Sequence, residues 1–182
     1  MKTESNVKFI LRLALTLFLI TSVVAALLAV VNSITAPVIA ASNEAKTQAA
    51  IEAVLPGGGE EIQIPEGHPL VSAAYVSETG YAVQVTPGGF DNTITMMVGV
   101  DKEGNVLGIS IISHTETAGL GAVAAATTSA GEAFRSQFAG MSGAVSVDMD
   151  GGEVAAITGA TITSRAVCAG VNAALDFVAS LG

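Results

Sequence analysis

Residues 13–31 form an unbroken apolar run of 19 positions in which Thr16, Thr21 and Ser22 are the only polar side chains. At the helical rise such a run spans roughly 28 Å, about the thickness of a bilayer's hydrocarbon layer. Lys2, Lys8 and Arg12 stand before it, and the next basic residue is Lys46. Basic residues stay on the cytoplasmic side, so the body of the chain is expected outside. The apolar core of a cleaved signal peptide is shorter, about 7–15 residues. The pattern therefore predicts a cytoplasmic basic N-terminus over residues 1–12, a retained transmembrane helix over 13–34, and an extracytoplasmic domain over 35–182.

Beyond the run, Thr35-Ala36-Pro37 reads as a helix start with proline in the first turn. A second, Ala- and Glu-rich helix is predicted over 38–55, stopped by Pro56-Gly57-Gly58-Gly59. Residues 60–77 carry a weak signal, read as irregular with one strand near 70–76. The alternation of residues 80–85 predicts a strand, and 93–100 and 106–113 predict two more. The turns at Pro87-Gly88-Gly89 and 101–104 are short enough to make these strands antiparallel neighbours. A helix is predicted around 131–138, with short strands at 144–147 and 154–157. Along 164–181, Val167, Val171, Leu175, Val178 and Leu181 recur at steps of four and three, the stripe of a packed helix. The expected fold class is α+β: a single transmembrane helix, then an antiparallel sheet with flanking helices.

Charge and composition narrow what such a domain does. Hydrophobic residues make up 51% of the 182, and the apolar run explains much of that. From residue 40 onward there are 15 acidic and 4 basic residues, a net of −11 that repels nucleic-acid phosphates. The chain has no Trp and 4% aromatic residues, too few for a base-stacking surface. The single cysteine, Cys168, excludes an internal disulfide, a Cys-ligated cluster and a Cys-rich zinc site. It stands one step from the apolar stripe, where a small buried side chain is expected. His68 and His114 are too few for a histidine metal centre, and no metal site is expected. His68, beside Pro69, reads as a surface residue, His114 as a solvated or hydrogen-bonded loop residue, and Met96 and Met97 as core or edge fillers.

The most informative stretch is Thr158-Gly159-Ala160-Thr161-Ile162-Thr163-Ser164, after a predicted strand and at the start of the last helix. Its small residues allow close approach to the backbone. The first turn of a helix offers unpaired amides and the positive end of the dipole, a seat for phosphate, and Arg165 adds a cation. The same hydroxyls also suit a simple helix cap. A Walker-type loop is excluded because no lysine follows the glycine.

This segment resembles the flavinylation motif Ser/Thr-Gly-Ala-Thr-x-Thr/Ser of the FMN-binding domain family. That family occurs in the G subunit of the Rnf ion-translocating ferredoxin:NAD oxidoreductase and in the C subunit of the sodium-pumping quinone reductase. The loop His114-Thr115-Glu116-Thr117-Ala118-Gly119-Leu120-Gly121 is similar to the family's Glu-Thr-Pro-Gly-Leu-Gly, and it follows the third predicted strand as it does there. Met96-Met97-Val98-Gly99-Val100, the anchor and the Leu55-Pro56 stop match in order, so the resemblance covers nearly the whole chain.

The resemblance implies FMN joined by a phosphoester to Thr163, placed there by a separate flavin transferase that uses FAD, with Ser164 as the second candidate. Thr158, Gly159, Ala160 and Thr161 would surround the phosphate. Glu116, Thr117, Gly119, Leu120 and Gly121 would contact flavin or phosphate, with capping of the turn as the alternative role for Glu116, and no catalytic residue is assigned. It further implies an electron-transfer subunit of a membrane redox complex, beside membrane subunits of the D, A and E types.

Two positions depart from the family pattern. Ala155 replaces an Asp three residues before the motif, with Asp148, Asp150 and Glu153 close by in sequence, and Ala118 replaces the loop proline. The competing readings are a covalent-FMN carrier of another membrane reductase, such as the sodium-pumping quinone reductase, and an exported, non-redox phosphate-binding module.

Overall fold

The computed structural model describes residues 3–181. The chain divides into two compact units, with the division after Ala45. Helix α1 runs without interruption over Thr3–Val54, and Pro37 lies inside it. The predicted restart at residues 35–37 is thus overturned, and the hydroxyls show why. Thr35 donates its Oγ1 proton to the Val31 carbonyl at 2.9 Å. Ser33 does the same to Val30 at 2.8 Å. Hydroxyls bonded back to carbonyls of the preceding turn sit inside a continuing helix and cap no new one. Thr16 and Thr21 bond likewise to the Arg12 and Leu17 carbonyls, so these two hydroxyls carry their own partners. That is the requirement for a helix in hydrocarbon. From Val7 onward α1 is long and apolar enough to cross a membrane.

The second unit is built on a five-stranded sheet in chain order, every neighbour antiparallel: β1 (Glu60–Ile62), β2 (Val71–Val76), β3 (Gly80–Val85), β4 (Thr95–Asp101) and β5 (Val106–Ser113). β3 and β5 fall where they are predicted, β4 begins two residues later than predicted, and β2 is the one strand expected within the weak stretch. β1 lies in the stretch expected to be irregular. It is a three-residue edge strand, Glu-Glu-Ile, whose pairing with β2 is a matter of backbone hydrogen bonds, which leave no side-chain pattern.

Both faces of the sheet are covered. On one side Val83, Val85, Met96, Val98 and Val100 meet Val167, Val171, Ala174 and Phe177 of helix α3 (Thr161–Ala179), with Phe134 and Phe138 beside them. On the other, Ala82 and Met97 meet Ala50, Ile51, Val54 and Leu55 at the end of α1. This two-sided burial explains why β4 is buried along its centre rather than alternating. Met96 and Met97 are both core residues, on opposite faces. The predicted stripe of α3 is buried through Val178, while Leu181 lies past the helix and is exposed. Helix α2 (Ser129–Ser136) begins two positions earlier than predicted because the Thr128 hydroxyl caps it, accepting from Gly131 N at 3.4 Å.

Three further expectations are corrected. The strands predicted at 144–147 and 154–157 shrink to one parallel bridge, Val147 to Val154, because a 3₁₀ turn at Asp148–Asp150 and the left-handed Gly151 occupy the space between. Helix α3 starts at Thr161 rather than Ser164, since the Ser164 hydroxyl and amide both reach back to the Ala160 carbonyl and so belong to the first turn. His68 is half-buried rather than on the surface: its ring stands edge-on to Phe177 at 5.3 Å, with Nε2 3.2 Å from Ser180 Oγ.

Candidate functional site

Three segments meet at the start of α3. The first is the motif turn, residues 158–163. Gly159 at φ 76° gives it a left-handed step that side-chain-bearing residues avoid, and the Leu120 side chain lies 3.1 Å from where a Cβ would stand. Ala160 occupies the N-cap and offers no side-chain acceptor. The amides that open α3 therefore have no capping side chain, at the positive end of the helix.

The second segment is the loop after β5. Its backbone is folded on itself, with Leu120 N and Ala122 N both donating to the Thr117 carbonyl. Arg135 of α2 anchors the following 3₁₀ turn (Gly121–Ala125), its Nη1 donating to the Ala124 and Ala126 carbonyls at 2.7 and 2.9 Å. His114 Nδ1 accepts from Glu116 N at 3.2 Å, the hydrogen-bonded loop role expected of it. The third segment, between β3 and β4, brings Gly89 and Phe90.

At their junction stands Glu116, the only charged side chain buried among the described residues, 7% exposed. Its Oε1 accepts from Phe90 N at 2.9 Å, and its Oε2 accepts a short hydrogen bond from Thr163 Oγ1. Thr163 is 1% exposed. Two glycines make room for the carboxylate: a Cβ at Gly89 would fall on Oε1, and a Cβ at Gly121 would fall on both Oε2 and Thr163 Oγ1.

Outward from this contact opens a cavity of ≈ 290 Å³. Glu116, Thr163 and the motif residues Gly159, Ala160 and Thr161 form part of its wall, with Thr117, Leu120 and Gly121 from the loop. Phe90, Leu120 and Ile162 complete an apolar rim and are exposed at 66%, 43% and 50%. Of the residues singled out in the sequence, Thr158, Gly119 and Ser164 stand apart from that wall. Ser164 faces inward, its Oγ accepting from Ile157 N at 3.0 Å and donating to the Ala160 carbonyl at 3.1 Å. Arg165, expected to add its charge to the motif turn, is turned to Asp150 instead, with two bonds of 2.6 Å. The pair holds the Asp150 carboxyl below its usual range. At Ala155 the main chain is held by Gln137, which accepts from Ala155 N at 2.8 Å and donates to its carbonyl at 3.3 Å. Sequence reasoning misses Phe90 and Ile162. The one signal for Phe90 is a large apolar residue in a turn of glycine, aspartate and asparagine.

Comparison with known proteins agrees with this geometry. Residues 89–176 match the FMN-binding domain family, and residues 1–54 match the RnfG N-terminal region. The chain is 30% identical to the G subunit of the Na(+)-translocating ferredoxin:NAD(+) oxidoreductase complex of Acetobacterium woodii, over 99% of this chain and 97% of the relative. This chain belongs to the RnfG family. It is also 29% identical to the G subunit of an ion-translocating oxidoreductase complex of Methanosarcina acetivorans, over 97% of this chain and 98% of the relative. With the corresponding G subunit of Pseudomonas aeruginosa it shares 33% identity, over 92% of this chain and 87% of the relative. The FMN-binding match takes in the Gly89–Phe90 turn, the Glu116 loop and the motif turn together, the three segments that meet at the cavity. The residues there fit a flavin mononucleotide: uncapped amides suit its phosphate, and an apolar rim suits a flat aromatic ring.

Proposed function

We propose that this chain is the FMN-carrying electron-transfer subunit of a membrane-bound, ion-translocating ferredoxin:NAD oxidoreductase, with the cofactor joined to Thr163 through its phosphate. The observation that carries this reading is the position of the Thr163 hydroxyl. It stands in the first turn of α3, at the wall of a cavity formed by both motifs that carry the family resemblance. Ser164, the second candidate, has its hydroxyl engaged on both sides away from the cavity wall.

FMN supplies one- and two-electron transfer; the protein supplies position and electrostatics. The amides of Thr161 and Ile162, with the helix dipole behind them, favour the phosphate's negative charge. Gly159 and Gly121 let the backbone approach it. Phe90, Leu120 and Ile162 offer apolar surface against which a ring is shielded from water. Thr117 lines the cavity, whereas Thr158 and Gly119 stand apart from its wall and contribute to the shape of the two loops. A covalent tether keeps the cofactor on a domain outside the cell, where a dissociated flavin would be lost.

Residues 13–34 serve as a single-pass anchor in the inner membrane, with residues 1–12 in the cytoplasm and 35–182 outside. The basic flank and the acidic domain support this orientation. The partners are the D-, A- and E-type membrane subunits, together with a flavin transferase for maturation. The test is purification of the tagged chain from its own membranes in mild detergent. The expected result is co-purification with membrane redox subunits, a flavin-fluorescent band that survives a denaturing gel, and ferredoxin-dependent NAD reduction lost with Thr163→Ala. A chain that purifies alone and without flavin contradicts the proposal.

A further inference from the structure

Glu116 is an expensive residue where it stands. A carboxylate withdrawn from water is unfavourable unless a cation compensates it, and the one ion pair among the described residues, Arg165 with Asp150, lies elsewhere. Its hydrogen-bond partners are the Phe90 amide and the Thr163 hydroxyl. A neutral glutamine would accept from Phe90 equally well and still bridge to Thr163. What a carboxylate adds is the capacity to take a proton, and its Oε2 already accepts the hydrogen bond of the one hydroxyl that must lose one. A threonine hydroxyl is a weak nucleophile until a neighbouring base accepts its proton. The glycine gaps at positions 89 and 121 keep the two groups in contact.

We propose that Glu116 is the general base for its own chain's flavinylation, so that part of the catalytic machinery resides in the acceptor protein. The inference rests on Thr163 as the attachment point. The co-reactant is a flavin dinucleotide presented by the transferase. The Thr163 Oγ1–H bond breaks and its proton passes to Glu116 Oε2. A new bond forms from Oγ1 to the flavin-side phosphorus, and the pyrophosphate P–O bond breaks to release AMP. No electron is transferred. The proton then leaves Glu116 through the cavity, whose wall includes the Glu116 side chain. Once the ester has formed Oγ1 has no hydrogen, so the contact that prepares the reaction ends with it.

The experiment follows FMN incorporation by intact mass against time, on the full-length chain in detergent, with the transferase and FAD supplied. Wild type is compared with Glu116→Gln and Glu116→Asp, folding being checked by near-UV circular dichroism. The expected result is a loss of about 100-fold or more in the initial rate for Glu116→Gln, the scale of a general base, with Glu116→Asp falling between the two. That order is the discriminating readout. A base tolerates the shorter carboxylate better than the neutral isostere, whereas a purely structural Glu116 tolerates the isostere better. Loading of Glu116→Gln at the wild-type rate, or Glu116→Asp slower than Glu116→Gln, overturns the proposal. Should Glu116→Gln not fold, Glu116→Ala is read in its place, and its loading at the wild-type rate overturns the proposal. A wild-type chain that takes up no FMN sinks the Thr163 attachment itself, and this inference with it.

Discussion

Glu116 and Thr163 are 47 positions apart in the chain and touch in the fold. Both motifs were legible in the sequence, yet the bond between them was not, because a side-chain contact between distant loops leaves no periodicity. The same holds for Phe90, whose amide completes the Glu116 cradle. The cradle predicts a steric sensitivity. Gly121→Ala places a methyl group against both the carboxylate and the threonine hydroxyl. It is expected to destabilise the domain by about 1–3 kcal/mol, the usual cost of overpacking, measured by urea unfolding. Cys168 offers a second test. Burial pushes its thiol up to about 11 from 9.0. Below about pH 9 the folded and unfolded chains both carry the neutral thiol, so it has no effect on stability. As pH rises from 9 towards 11 the unfolded chain ionises and the folded one does not, so stability falls. Comparing melting temperatures of wild type and Cys168→Ala across that window should show a steeper loss for wild type. Equal slopes would contradict the burial argument.

At the scale of elements, the sheet and the last helix were the legible part, because their apolar residues follow the periods of strand and helix. β3 to β5 and the face of α3 are, within two residues, where those periods place them. What failed was punctuation. Pro37 reads as a beginning, but Ser33 and Thr35 turn their hydroxyls backward and the helix continues. The 144–157 segment reads as two strands, but it is held by side chains rather than by a ladder. Asn172 of α3 accepts from Val145 N and donates to the Val145 carbonyl, both at 2.8 Å. Gln137 does the same for Ala155. These amides fasten the approach to the motif turn onto α2 and α3, so Asn172→Ala should loosen it. The expected loss is about 1–3 kcal/mol in urea unfolding, the cost of stranding partly buried backbone groups. Glu116 and Thr163 themselves remain untouched by that change.

At the scale of the molecule, the chain joins a long apolar helix to an acidic, two-faced α+β domain. Its division after Ala45 leaves the last turns of α1 with the domain, where Ala50, Ile51, Val54 and Leu55 cover one face of the sheet. A chain starting at Lys46 should therefore be soluble and cooperatively folded. One starting after Leu55 should aggregate, because Ala82 and Met97 lose their cover, a difference read by size-exclusion chromatography. The chain belongs to the RnfG family, and the cavity at the start of α3 is lined from within its FMN-binding match. The most direct measurement is the intact mass of the chain purified from its own membranes, followed by peptide mapping. The account predicts a mass increased by one FMN less one water, mapped to the peptide containing Thr163 and absent in Thr163→Ala. An unmodified mass, or the same increase persisting in Thr163→Ala, would contradict it.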